Sequence, residues 1–166
     1  LTVYYFDDIT EDEVADMFFR LNNGKPVNSC TVTRVRALSK DKIRELGQNR
    51  LFQMALTQKA FESFTNEDIV IKALYILNGG DNLETKKIRE WISETEITGT
   101  MVKDLSCIFG RIADAAEAVK DDKKLAKKIL TKTHMLSMIP MINQLRIDKV
   151  KNDELVEWLK DFYGKT

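Results

Sequence analysis

The side chains that carry most protein chemistry are sparse in this sequence. His134 is its single histidine, so a Ser-His-Asp triad, a Cys-His pair or an imidazole general base would have to use it. It stands in Lys132-Thr133-His134-Met135, with no motif around it, and reads as a capping or surface residue at a helix start. Cys30 and Cys107 lie far apart with no Cys or His at ligand spacing. A zinc site needs three or four good ligands, so the residues point to no metal and no cofactor. The two cysteines read instead as buried thiols of a reducing, cytoplasmic compartment. Acidic pairs recur at Asp7-Asp8, Asp12-Glu13, Asp121-Asp122 and Asp153-Glu154. Most stand where a helix should begin, and there negative charge meets the positive end of the helix dipole. A two-metal nuclease needs carboxylates converging from separate elements, and no spacing in the chain points to that. No catalytic residue is assigned.

The basic residues are the second source of chemistry. The total charge is balanced, with 26 Lys and Arg against 26 Asp and Glu. A dedicated nucleic-acid binder draws most of its affinity from phosphate neutralisation and usually carries a basic excess. A local basic face can still exist within a neutral total. Lys120, Lys123, Lys124, Lys127, Lys128 and Lys132 form the densest run, and at helical spacing the first five fall near one another. Arg34 and Arg36 form a smaller pair. Met135, Met138 and Met141 form a stripe that reads as core packing, with a partner-binding groove as the minor alternative.

These residues must be positioned by helices. Only two prolines and seven glycines punctuate 166 residues, and 43% of the residues are hydrophobic. That composition supports a sizeable core and too few turns for a sandwich or barrel. Thr2 to Phe6 is β-branched and aromatic and predicts a short strand. Such a strand needs a partner, which little later in the sequence offers. A strand-swapped homodimer or a missing sheet would supply one. Thr10-Glu11-Asp12-Glu13 has the pattern of a capping box, and the helix after it should stop at Asn23-Gly24 before Pro26. Asn28 is the next cap. Ser29 to Leu38 is rich in β-branched residues and could pass for a strand.

Short helices follow over 39–46 and 49–56. Thr65-Asn66-Glu67-Asp68 should cap a helix ending at Gly79-Gly80. Ile69, Val70, Ile71, Ala73, Leu74, Tyr75, Ile76 and Leu77 cover nearly its whole circumference, which belongs at the centre of a bundle. Further helices are expected over 84–94, from near Thr98 or Thr100 to near Val119, and over 123–130. Met135 to Leu145 should be kinked or divided at Pro140. A last helix from Asn152 should turn Leu155, Trp158, Leu159 and Phe162 inward. The fold class is thus all-α, a multi-helix bundle with one short N-terminal strand. No apolar run reaches about 18 residues, so no membrane span is expected.

One segment is more specific. Phe6-Asp7-Asp8-Ile9-Thr10-Glu11-Asp12-Glu13-Val14 leads into Phe18-Phe19-Arg20-Leu21-Asn22-Asn23-Gly24-Lys25-Pro26-Val27-Asn28. This strand, acidic capped helix and Phe-x-Arg-Leu-Asn-x-Gly loop resembles the GmrSD-type restriction nucleases of the ParB/sulfiredoxin-like nuclease superfamily. The resemblance covers roughly residues 1–40, with vaguer helical similarity to about Trp91. It implies that the family's Asp-Gly-Gln-Gln-Arg type signature lies on a ParB-like core before this strand. Gly47-Gln48-Asn49-Arg50 has a similar composition but lies downstream and lacks the leading Asp, so it is not that motif.

The resemblance therefore implies residues 1–166 as one helical domain of a longer, prokaryotic or phage polypeptide, with 1–40 family-like and 41–166 the bundle. Its role would be a non-catalytic scaffold and contact surface. Any DNA contact would be weak and salt-dependent, through Arg20, Lys25, Arg34, Arg36, Lys120, Lys124, Lys127 and Lys128. Asn22, Asn23, Gly24 and Asn28 would shape the loop. The alternative is a stand-alone helical adaptor or inhibitor, using a groove near Met135 to Met141.

Overall fold

The computed structural model describes residues 29–164 and, before them, residues 9, 10, 13, 14 and 17. The expected strand at 2–6 and the loop of Asn22, Asn23, Gly24 and Asn28 lie outside the described residues. Within them the protein is all-α. Ten helices follow one another: α1 (Ser29–Arg36), α2 (Lys40–Gly47), α3 (Arg50–Ala55), α4 (Gln58–Glu62), α5 (Thr65–Leu77), α6 (Thr85–Glu94), α7 (Gly99–Ala118), α8 (Lys123–Ile129), α9 (Lys132–Ile147) and α10 (Asn152–Gly164).

The apolar circumference of α5 places it at the centre. Ile69, Val70, Ile71, Ala73 and Leu74 are fully or almost fully buried, and α1, α2, α4, α6, α7 and α9 all pack on this helix. The second hub, α7, turns Leu105, Ile108, Phe109, Ile112, Ala113, Ala115 and Ala116 inward at three- and four-residue steps. It meets α2, α3, α8, α9 and α10 as well as α5. Phe52 of α3 and Phe109 of α7 meet edge to face at 5.1 Å between ring centroids, and neither is exposed. Each such ring contributes about 1.5–3 kcal/mol by leaving water, so this pair is a principal tie between the early and late helices.

Local signals set most of the boundaries. Thr10 and Glu13 form the reciprocal bonds of the capping box: the Glu13 amide donates to Thr10 Oγ1, and the Thr10 amide donates to Glu13 Oε2 at 2.9 Å. Thr98 Oγ1 accepts from the Met101 amide to open α7, and Asp122 accepts from the Leu125 amide to open α8. At the end of α5, Gly79 takes the left-handed conformation and Gly80 N–H donates to Tyr75 O at 3.0 Å. This satisfies carbonyls that the last turn would otherwise leave unbonded.

Three expectations are corrected. Residues 29–36 form a helix, not a strand: Thr33 Oγ1 donates back to Ser29 O at 2.9 Å, and the segment packs on α5 and α6. Packing against two helices, with Thr33 buried between them, outweighs the β preference of Thr and Val. Of the kink or division expected at Pro140, division does not occur: α9 runs from Lys132 to Ile147 with the proline inside it. The proline is exposed, and Met135 and Ile139 before and at its turn, with Ile142 after it, hold both halves on the core. In α10, Leu155 and Leu159 are buried as expected, but Trp158 and Phe162 are 44% and 51% exposed. Their rings stack on each other at 5.0 Å instead of entering the core.

Candidate contact surface and buried charge cluster

The lysine run divides by environment. In α8, Leu125 and Ile129 are buried, which turns Lys123, Lys124 and Lys127 to solvent. Lys128 is half-buried, with its ammonium group 4.7 Å from the centroid of the Tyr163 ring. Lys120 sits just before α8 and donates to Glu117 Oε1 at 2.9 Å. That bond, with the charge of Glu117, raises the Lys120 ammonium above its usual range. Its positive charge thus has an acidic neighbour, and the clean basic face is narrower than the sequence implied. Arg36 is exposed at the end of α1. Arg20 and Lys25 lie outside the described residues.

Arg34, expected as a phosphate contact, is engaged in an ion pair with Glu67. Its Nε donates to Glu67 Oε2 at 2.6 Å and its NH2 to Glu67 Oε1 at 3.2 Å. Its guanidinium also lies 3.9 Å from the centroid of Phe64, a residue held at φ 58 just before α5. A planar fork paired with both oxygens of one carboxylate is a stronger arrangement than a point contact. Arg34 is a cross-brace between α1 and α5.

The sequence reading missed the partners of this brace. Asn66, Glu67 and Asp68 were expected only as part of a helix cap, and they are 4%, 6% and 5% exposed. Asn66 Nδ2 donates to Gly47 O at 3.0 Å and fastens the end of α2 to α5. Asp68 Oδ2 accepts from Lys72 Nζ at 2.8 Å and from Lys132 Nζ at 2.5 Å, joining α5 to α9. Burial alone would push the Asp68 carboxyl up, but the two lysine hydrogen bonds and their charges outweigh it and hold it below its ordinary 3.8. Beside it, burial and then the Asp68 charge push the Cys30 thiol up from its ordinary 9.0. One signal was available in the sequence. A helix apolar all round must bury its first turn too, and any carboxylate there needs a cation, which Lys72 supplies one turn on from Asp68.

His134 has a structural tie of its own. Tyr163 Oη lies 2.6 Å from His134 Nδ1, and the two rings meet edge to face at 5.1 Å. Burial raises the Tyr163 hydroxyl above its ordinary 10.0. His134 thus links α9 to α10. Cys30 is half-buried, whereas Cys107 is exposed on α7, contrary to the expectation of a buried thiol. Gly47-Gln48-Asn49-Arg50 has a local role: Asn49 Oδ1 accepts from the Leu51 amide to cap α3, and Arg50 pairs with Asp114 of α7. Among the described residues no group of three or more His, Cys, Asp or Glu is placed to hold a metal. No helix among them is long and apolar enough to cross a membrane.

No family model matches the chain, and no curated protein and no solved structure matches it either.

Proposed function

We propose that this chain is a non-catalytic helical scaffold and contact lobe of a GmrSD-like, ParB-fold DNA-processing protein, with the phosphodiester chemistry belonging to a ParB-like core. The observation that carries the contact role is α8, anchored by Leu125 and Ile129 and presenting Lys123, Lys124 and Lys127 to solvent. Three ammonium groups on one short helix suit phosphates, whose attraction does not depend on base sequence. The scaffold role is supported by the inward charges: Arg34, Glu67, Asp68, Lys72 and Lys132 brace α1, α5 and α9. The family reading rests on the strand-helix-loop resemblance around Phe19 to Gly24. A short strand at residues 2–6 would join the core's sheet or pair two copies of the chain, in the cytoplasm of a prokaryote or in a phage-infected cell.

The test is fluorescence anisotropy of a labelled DNA duplex at low salt, with wild type and with Lys124→Glu/Lys127→Glu. Loss of binding in the variant is expected, with its thermal unfolding unchanged. Equal binding by both would overturn the assignment of α8.

A second reading, a stand-alone adaptor or inhibitor module, is favoured by one observation. The stacked Trp158 and Phe162 present apolar surface on α10. Met135 and Met138, in the stretch first expected to line a groove for such a module, are buried in the core. Binding that survives the α8 reversal but is lost in Trp158→Ala would favour this second reading.

A further inference from the structure

Beyond the α8 surface, a groove of about 490 Å³ runs between α5, α9 and the 78–84 connection. Lys72 and Lys132 line it together with the apolar Ile76, Leu83, Leu136 and Pro140 and the hydroxyl-bearing Thr133 and Ser137. The two ammonium groups share a single counter-charge, since both reach the same Oδ2 of Asp68. The carboxylate stays ionised at neutral pH and the neighbouring Cys30 thiol stays protonated, each from the shifts already described. The cluster therefore holds one positive charge in excess. Lys132 is 40% exposed and Lys72 22%, and both line the groove, so that charge is not sealed in the interior. Asp81 also lines the groove but is exposed, where water and salt weaken its charge.

We propose that this groove binds a small amphipathic monoanion, an aliphatic carboxylate whose head group meets Lys132 and Lys72 and whose chain lies along Ile76, Leu83, Leu136 and Pro140. The arrangement has the two parts such a ligand needs. Apolar walls supply attraction in proportion to the chain buried. A cationic pair held in place by Asp68 fixes the orientation of the head. A polyanion such as DNA does not fit the apolar walls, so this site is independent of the α8 surface.

The experiment is isothermal titration of the protein with decanoate and, separately, with 1-decanol as its uncharged counterpart. Saturable decanoate binding below about 1 mM is expected. In Lys132→Met, Asp68 keeps Lys72 as its partner, so the fold survives while the excess charge is gone. Decanoate should then bind at least about tenfold more weakly, with 1-decanol unchanged. Lys132→Arg should retain binding, and Leu83→Asp should weaken both ligands. A Lys132→Met protein that melts like wild type and still binds decanoate equally well would overturn the proposal. So would the absence of saturable decanoate binding to wild type.

Discussion

Removing Arg34 separates a structural arginine from a DNA-contacting one. Arg34→Ala deletes a guanidinium whose side chain is 22% exposed and strands Glu67, whose side chain is 8% exposed. An exposed ion pair is worth about 0–1 kcal/mol, because water and salt screen it. A buried carboxylate stripped of its partner costs about 3–5 kcal/mol, because desolvation is no longer offset. Burial of Glu67 places the site nearer the second case, and the lost contact with Phe64 adds about 0.5–1 kcal/mol. We expect a destabilisation of about 3 kcal/mol, read from urea unfolding. For a chain of this size that corresponds to roughly 6–12 °C in Tm. The companion Arg34→Met/Glu67→Gln variant removes both charges and should recover most of the loss. DNA binding by Arg34→Ala, measured well below its midpoint, should be unchanged. A loss below about 1 kcal/mol, or no recovery in the double variant, would refute the buried-brace reasoning.

Three further outcomes follow from the geometry. The folded Asp68 carboxyl is held below its ordinary 3.8, so its contribution is present above the unfolded value and is lost as pH falls through the folded one. Acid unfolding followed by circular dichroism should therefore show a stability loss below about pH 4 that is smaller in Asp68→Asn. At Gly80, an added methyl would meet the Tyr75 ring at 2.3 Å; Gly80→Ala should destabilise by about 1–3 kcal/mol in urea, as overpacking does. Lys149 holds φ 57 after α9, where Val150 N–H closes on Leu145 O. Lys149→Gly should relieve that strain and raise stability by up to about 1 kcal/mol; a fall in Tm would contradict the strain.

Periodicity made the bundle legible. The positions Leu105, Ile108, Ile112, Ala115 and Val119 repeat at helical steps, and all are buried. The Gly79-Gly80 stop and the Thr98 cap were readable because each is a local hydrogen-bond requirement. What failed depended on neighbours far away in sequence. Residues 29–36 hold a helix because α5 and α6 cover it. Pro140 is tolerated because packing on both sides of it holds the helix. Trp158 and Phe162 satisfy each other by stacking, at the edge of the stripe that buries Leu155 and Leu159. The lysines of α8 were readable as a candidate surface from spacing alone. Arg34 was not readable as a brace, because Glu67 lies 33 residues away. Nor was the pairing of Asp68 with Lys132, across 64 residues.

The contact role is tested most directly by the salt dependence of DNA affinity, measured by anisotropy from about 25 to 200 mM salt. Each neutralised phosphate contributes a slope of roughly −0.9 in log K against log salt. Lys123, Lys124 and Lys127 acting together should give roughly −3, and the Lys124→Glu/Lys127→Glu protein should show no measurable slope. Wild-type affinity that stays flat as salt rises would contradict a phosphate-contacting α8.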